Sequence, residues 1–152
     1  MRRALQTAKP WLPVIAYMAM IVLASAQSGP PIDMEDVPLR DKGAHFVEYA
    51  VLAILIANAL TARHASKGEQ LTRRAGFKLS LWTIGLATIW GYLDELHQAF
   101  VPGRYSDSHD LLADFLGSIA GAAIYFTVRL AIARKRSSGV TAKAAALSQD
   151  QP

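Results

Sequence analysis

The sequence predicts an all-α, polytopic membrane bundle of four transmembrane helices. Three observations carry that expectation. Apolar residues make up 52% of the 152 residues, which is high for a water-soluble domain of this size. They fall in four blocks, near Trp11–Ala26, Phe46–Ala62, Leu79–Leu93 and Phe115–Ala133, rather than at an even amphipathic period. The charges are also sorted between the connections. With the N-terminus inside, every Lys and Arg except Arg40, Lys42 and Arg104 falls on the inner side. Every Asp and Glu except Glu69 and Asp150 falls on the outer side. Short connections rich in Lys and Arg stay cytoplasmic, so both termini are expected inside. The net charge of +4 does not point to nucleic acid, because the basic residues flank apolar segments, where anionic lipid meets them. With no cysteine, disulfides, thiolate metal sites and cysteine nucleophiles are excluded.

The first apolar block follows Arg2, Arg3 and Lys9 and ends in Ala24-Ser25-Ala26. That ending also matches a small-residue cleavage site, and a cut there would leave three spans. Retention as an anchor is the expectation, and either outcome leaves the following residues outside. Gly29, Pro30, Pro31 and Pro38 mark Gln27–Arg40 as a loop. A second helix is expected from about Lys42 or Ala44. Its purely apolar part is too short to span about 30 Å of hydrocarbon, so it must draw His45 and Glu48 into the outer membrane region. Arg63–Lys78 reads as a basic inner loop. The third helix, roughly Leu79–Gln98, carries Asp94, Glu95, His97 and Gln98 at its outer end, and Pro102-Gly103 forces a turn. The fourth helix is expected from Ser108–Asp110 to about Ala133. Within it, Gly117 and Gly121 form a GxxxG pattern that permits close helix approach. Residues 1–136 thus form the membrane domain, and 137–152 read as a disordered cytoplasmic tail.

Helical spacing groups the polar residues. Asp41, His45 and Tyr49 share a face of the second helix, and Asp94, Glu95 and Gln98 share one of the third. Asp110, Asp114, Gly117 and Gly121 follow on the fourth, and the loop before it adds Arg104, Ser106 and His109. A charge facing lipid costs at least about 2.5–3.5 kcal/mol, so ionisable groups at this depth are expected to face the bundle interior and to mark a site. His97 falls on the other side of its helix, and His64 sits in the basic loop. The chemistry that fits is phosphoester hydrolysis or headgroup transfer. Catalytic candidates are His45, as nucleophile or general acid–base oriented by Glu48 or Asp41, with Glu95 or Asp110 activating water. Binding candidates are Lys42, Tyr49, Gln98, Arg104, Ser106 and Asp114, with Arg104 suited to bidentate phosphate contact. Asp94, Glu95, Asp110 and Asp114 are hard oxygen donors of the kind Mg²⁺ or Ca²⁺ takes. No H-E-x-x-H or similarly dense ligand motif is present, so the sequence requires no cofactor and no metal ligands are assigned.

Two segments carry a resemblance. Lys42, His45, Phe46 and Tyr49 resemble the K-x-x-H-F-x-x-Y signature of VanZ-like membrane proteins. Glu95, Gln98, Phe100, Pro102-Gly103-Arg104, Asp110, Asp114 and Gly117 resemble that family's E-x-x-Q-x-F-x-P-G-R-x-x-S-x-x-D-x-x-x-N-x-x-G. The serine spacing departs slightly, with Ser106 two residues after Arg104, and Asp114 stands where the family usually has Asn. The resemblance covers about residues 41–121. It implies a small multi-pass protein of the bacterial cytoplasmic (inner) membrane, with its polar site facing the periplasm or exterior. The founding member of the family is linked to low-level resistance to the glycopeptide teicoplanin.

Three functions compete. The first is an enzyme acting on a phosphate-bearing lipid or lipid-linked headgroup at the outer leaflet. The second is a non-catalytic, envelope-modifying protein that binds lipid, a lipid-linked cell-wall precursor or a glycopeptide. The third, a proton-coupled carrier, is disfavoured because the acids cluster at one end and Asn58 is the one polar residue deep in the inner half. Membrane lipids are the expected partners, and nucleic acid is not.

Overall fold

Among the described residues, polar side chains at one end and small and apolar ones elsewhere line the inside of this helical assembly, and many large apolar ones cover its outside. In a computed structural model the described residues are 8–26, 38–102 and 107–149, all helical apart from short connections and without a strand. A 3-10 turn, Lys9–Trp11, leads into α1 (Leu12–Ser25). Pro10 and Pro13 sit at the starts of these elements, where a missing N–H forfeits no helical bond. α2 (Pro38–Ser66), α3 (Arg73–Gln98) and α4 (Ser108–Gln149) follow.

The ends have local causes. α2 stops where Gly68 takes φ +78, a conformation L side chains rarely adopt. α3 starts at Thr72, whose side-chain oxygen accepts the Ala75 N–H at 3.2 Å. α4 starts after Asp107, whose Oδ1 accepts the His109 N–H at 2.9 Å.

These boundaries revise three expectations. α2 begins at Pro38 rather than near Lys42, because Pro is well placed in a first helical turn. The Thr72 cap draws Arg73, Arg74 and Lys78 into α3, so the inner connection is shorter than expected. α4 continues to Gln149 rather than ending near Ala133; Ala142 and Ala144–Ala146 favour helix there. Of the expected loop Gln27–Arg40, residues 27–37 lie outside the described residues.

The principal contact is between α2 and α4, with α3 against α4 next and α1 resting mainly on α2. The GxxxG pattern explains the first pair. A Cβ at Gly117 would lie 2.2 Å from the Phe46 carbonyl oxygen, and one at Gly121 2.2 Å from that of Ala50. Only glycine lets the two backbones approach so closely. Val14 and Ile21 of α1 pack on Tyr49, Leu52, Ala53, Ile56 and Ala59 of α2 and Ala87 of α3.

α3 displays the partition most clearly. Its buried residues are Gly76, Thr83, Ala87, Gly91, Asp94, Glu95 and Gln98. Its exposed face carries Phe77, Leu81, Trp82, Leu86, Ile89, Tyr92, Leu93 and Leu96. Two helical segments, Lys42–Ser66 and Ser108–Lys135, are long and apolar enough to cross a membrane. Lys9–Ser25 is apolar but shorter. In α3, Thr, Gly, Trp and Tyr dilute the aliphatic content.

Candidate functional site

Four helices deliver polar side chains to one end of the bundle. α2 contributes His45 and Tyr49 one turn apart, both buried. α3 contributes Asp94, Glu95 and Gln98, each no more than 4% exposed. α4 contributes Asp110 and Asp114, also buried, and α1 ends there with buried Ser25.

At the centre, His45 Nδ1 lies 3.0 Å from Asp114 Oδ1. An ionised Asp114 carboxylate accepts this bond from the Nδ1–H of the ring. Asp114 thus holds the Nδ1 side of the imidazole. His45, Glu95 and Asp114 each place one donor atom within 4.8 Å of the others. Gly91, one turn before Glu95, makes this convergence possible. A Cβ there would fall 2.7 Å from Asp114 Oδ2 and 3.1 Å from Tyr49 Cε1.

Two smaller networks flank the centre. Ser25 Oγ donates to Asp94 Oδ1 at 2.6 Å, and Gln98 Nε2 donates to Asp94 Oδ2 at 2.9 Å. These bonds fasten α1 to α3 through a buried carboxylate. A cavity of about 120 Å³ opens beside them, with Ser25, His45, Glu48, Asp94 and Gln98 as its polar wall. On the other side, Lys42 Nζ bonds Asp107 Oδ2 at 2.9 Å and Asp110 Oδ1 at 3.2 Å. Asp107 N–H in turn donates to Glu95 Oε2 at 3.0 Å, tying the start of α4 to α3. The His109 backbone N–H, then the Lys42 ammonium and the His109 ring, hold the Asp107 carboxyl well below the usual carboxylate range.

Of the residues expected from sequence, the structure gathers His45, Tyr49, Glu95 and Asp114 at the centre, with Glu48 and Gln98 on the cavity wall. Lys42 and Asp110 are engaged with each other rather than open to a ligand. Arg104 and Ser106 lie outside the described residues. His97 is exposed, and His64 pairs with Glu69 at 2.8 Å at the opposite end. Of the four acids grouped as hard metal donors, Asp94 and Asp110 already have other partners.

Sequence reasoning missed Ser25, which stood within a cleavage-site pattern, and Asp107. Asp107 lies three residues after Arg104, where the R-x-x-S spacing calls for serine. It also missed Gly91, whose only signal is its position four residues before Glu95.

A family model described as VanZ/LLP1 matches residues 10–130, a stretch that contains all of these networks. No curated protein and no solved structure gives a significant match. The match spans most of the chain and includes both motif segments, so the protein belongs to the VanZ/LLP1 family.

Proposed function

We propose that this protein is a four-span envelope membrane protein whose buried polar end faces outward and acts on a phosphate-bearing lipid or lipid-linked headgroup. The observation that carries the reading is the inverted partition: imidazole and carboxylates from three helices meet inside, while Leu, Ile, Phe and Trp cover the exterior. Water would oppose such an arrangement and lipid favours it. The sorting of Lys and Arg to the opposite end supports an outward site in the cytoplasmic membrane. α1, at 14 residues, rises only about 21 Å, so it would span with help from the 3-10 turn before it. The Ser25–Asp94 bond and the burial of Val14 and Ile21 favour its retention as an anchor.

In this reading His45, held by Asp114, serves as general base or nucleophile, and Glu95 positions or activates water. Lys42 is committed to Asp107 and Asp110, so phosphate recognition falls to Arg104. The substrate's apolar part stays among the lipid-facing helices while its headgroup enters beside Glu48.

A non-catalytic binding role has one observation in its favour. Asp94 is engaged by Ser25 and Gln98 and Lys42 by two acids, as in a preformed pocket rather than a set of reactive groups. Stoichiometric capture of a lipid without product would select it. The test of the main reading is lipid and cell-wall-precursor profiling of a deletion strain complemented with wild type, His45→Ala or Arg104→Ala. Accumulation of one headgroup species, corrected by wild type alone, is expected. Full correction by both variants would end the enzymatic reading.

A further inference from the structure

We infer that His45, Glu95 and Asp114 together bind one divalent transition-metal ion of the Zn²⁺ or Mn²⁺ type. The first argument is geometric. Ligands held about 2.0–2.2 Å from one ion lie roughly 3–4.4 Å apart. The three donor atoms lie within 4.8 Å of one another. A contraction of a few tenths of an ångström closes the set. Each ligand comes from a different helix of the tightly packed α2–α3–α4 core.

The second argument comes from Asp114. Its side chain is 1% exposed, and its Oδ2 is buried without a hydrogen-bond partner among the described residues. That oxygen points toward Gly91, where no Cβ occupies the space. Leaving a buried charged acceptor unsatisfied costs at least about 1–3 kcal/mol, so its persistence needs a partner. Tyr49 Oη, one turn from His45, is likewise buried without a partner among the described residues.

The third argument is charge. Two carboxylates meet at this point, with Asp94 and Glu48 nearby. Lys42 is already shared by Asp107 and Asp110. A dication offsets the repulsion and turns an acidic centre into one that attracts a phosphate oxygen. One imidazole nitrogen with two carboxylates suits borderline ions better than the all-oxygen shells of Mg²⁺ and Ca²⁺. Three protein ligands leave coordination positions for water or a substrate oxygen, as catalytic rather than structural sites do.

The inference concerns the same pocket as the headgroup reading but does not require it. Metal binding without any lipid phenotype would keep the first and remove the second; headgroup turnover by protein that binds no metal would do the reverse. The experiment uses the full chain purified in detergent, stripped with chelator and dialysed against Zn²⁺ or Mn²⁺, with bound metal measured per chain. About one equivalent is expected for wild type and for Glu69→Gln, an acid at the far end of the molecule, with affinity falling about tenfold or more in Glu95→Gln and in Asp114→Asn. Co²⁺ loaded into wild type, which needs no variant to fold, should give visible bands distinct from aqueous Co²⁺. Helical protein that binds less than about 0.1 equivalent would overturn the assignment, as would unchanged affinity in both variants or an aqueous Co²⁺ spectrum.

Discussion

Replacing Gly117 by Ala tests how packing builds the site. A Cβ there would sit 2.2 Å from the Phe46 carbonyl oxygen. Carbon and oxygen tolerate about 3.3 Å, so the α2 and α4 backbones must part by about 1.1 Å. Phe46 follows His45 in sequence, and Asp114 lies one turn before Gly117. The same movement therefore stretches the 3.0 Å His45–Asp114 bond to about 4 Å, beyond hydrogen-bonding distance. Overpacking costs about 1–3 kcal/mol, and loss of the charge-assisted bond about 1.5–3. Better helix propensity returns about 1 kcal/mol. The net loss is about 1.5–5 kcal/mol, which lowers Tm by at least about 3 °C for a chain of this length. Thermal unfolding in detergent measures it, with Gly85→Ala as control because nothing lies within 4 Å of that position. Gly85→Ala should hold or raise Tm. If Gly117→Ala behaved like Gly85→Ala, the close α2–α4 approach and its link to His45 would both be wrong.

Other perturbations separate the flanking networks. Ser25→Ala removes the hydroxyl donor at 2.6 Å from Asp94 and should destabilise by about 1.5–3 kcal/mol while exposing α1 to limited proteolysis. Unchanged proteolysis would mean that the bond does not fasten α1. For Asp107 the folded carboxyl titrates below its ordinary value of 3.8, so its stabilising effect is fully present above that value. It is lost only as pH falls through the lower, folded value. The Tm gap between wild type and Asp107→Asn should thus stay constant from about pH 8 to about pH 5 and close only in stronger acid. A gap that closes near pH 6 would show that another group is being read.

Much of this arrangement was legible in the sequence, for reasons of period. Polar residues at i, i+4 on three helices had to share faces, so His45 with Tyr49, Asp94 with Gln98 and Asp110 with Asp114 came out together on buried faces. The glycines of GxxxG announced a close helix contact, and the contact is present with Phe46 and Ala50. Pairing between helices was not legible. Nothing in the spacing says that Asp114 bonds His45, because that depends on the relative rotation of α2 and α4. Lys42 looked free because its partner Asp107 occupies a position the motif assigns to serine. Ser25 was hidden because small residues before Ala26 satisfy both a cleavage pattern and a close helix contact. The start of α3 was misjudged because hydropathy weighs Arg73, Arg74 and Lys78 as loop, whereas the Thr72 cap decides where the helix begins.

The central claim is that the buried polar end lies at the external face of the membrane. The chain has no cysteine, so single introduced thiols can be read without background. Ser108→Cys sits at the exposed start of α4 beside the site, and Ser66→Cys at the exposed end of α2 on the opposite side. A membrane-impermeant maleimide applied to intact cells or spheroplasts should label the first thiol directly and the second only after lysis. The reverse pattern would place His45, Glu95 and Asp114 on the cytoplasmic side and contradict the account.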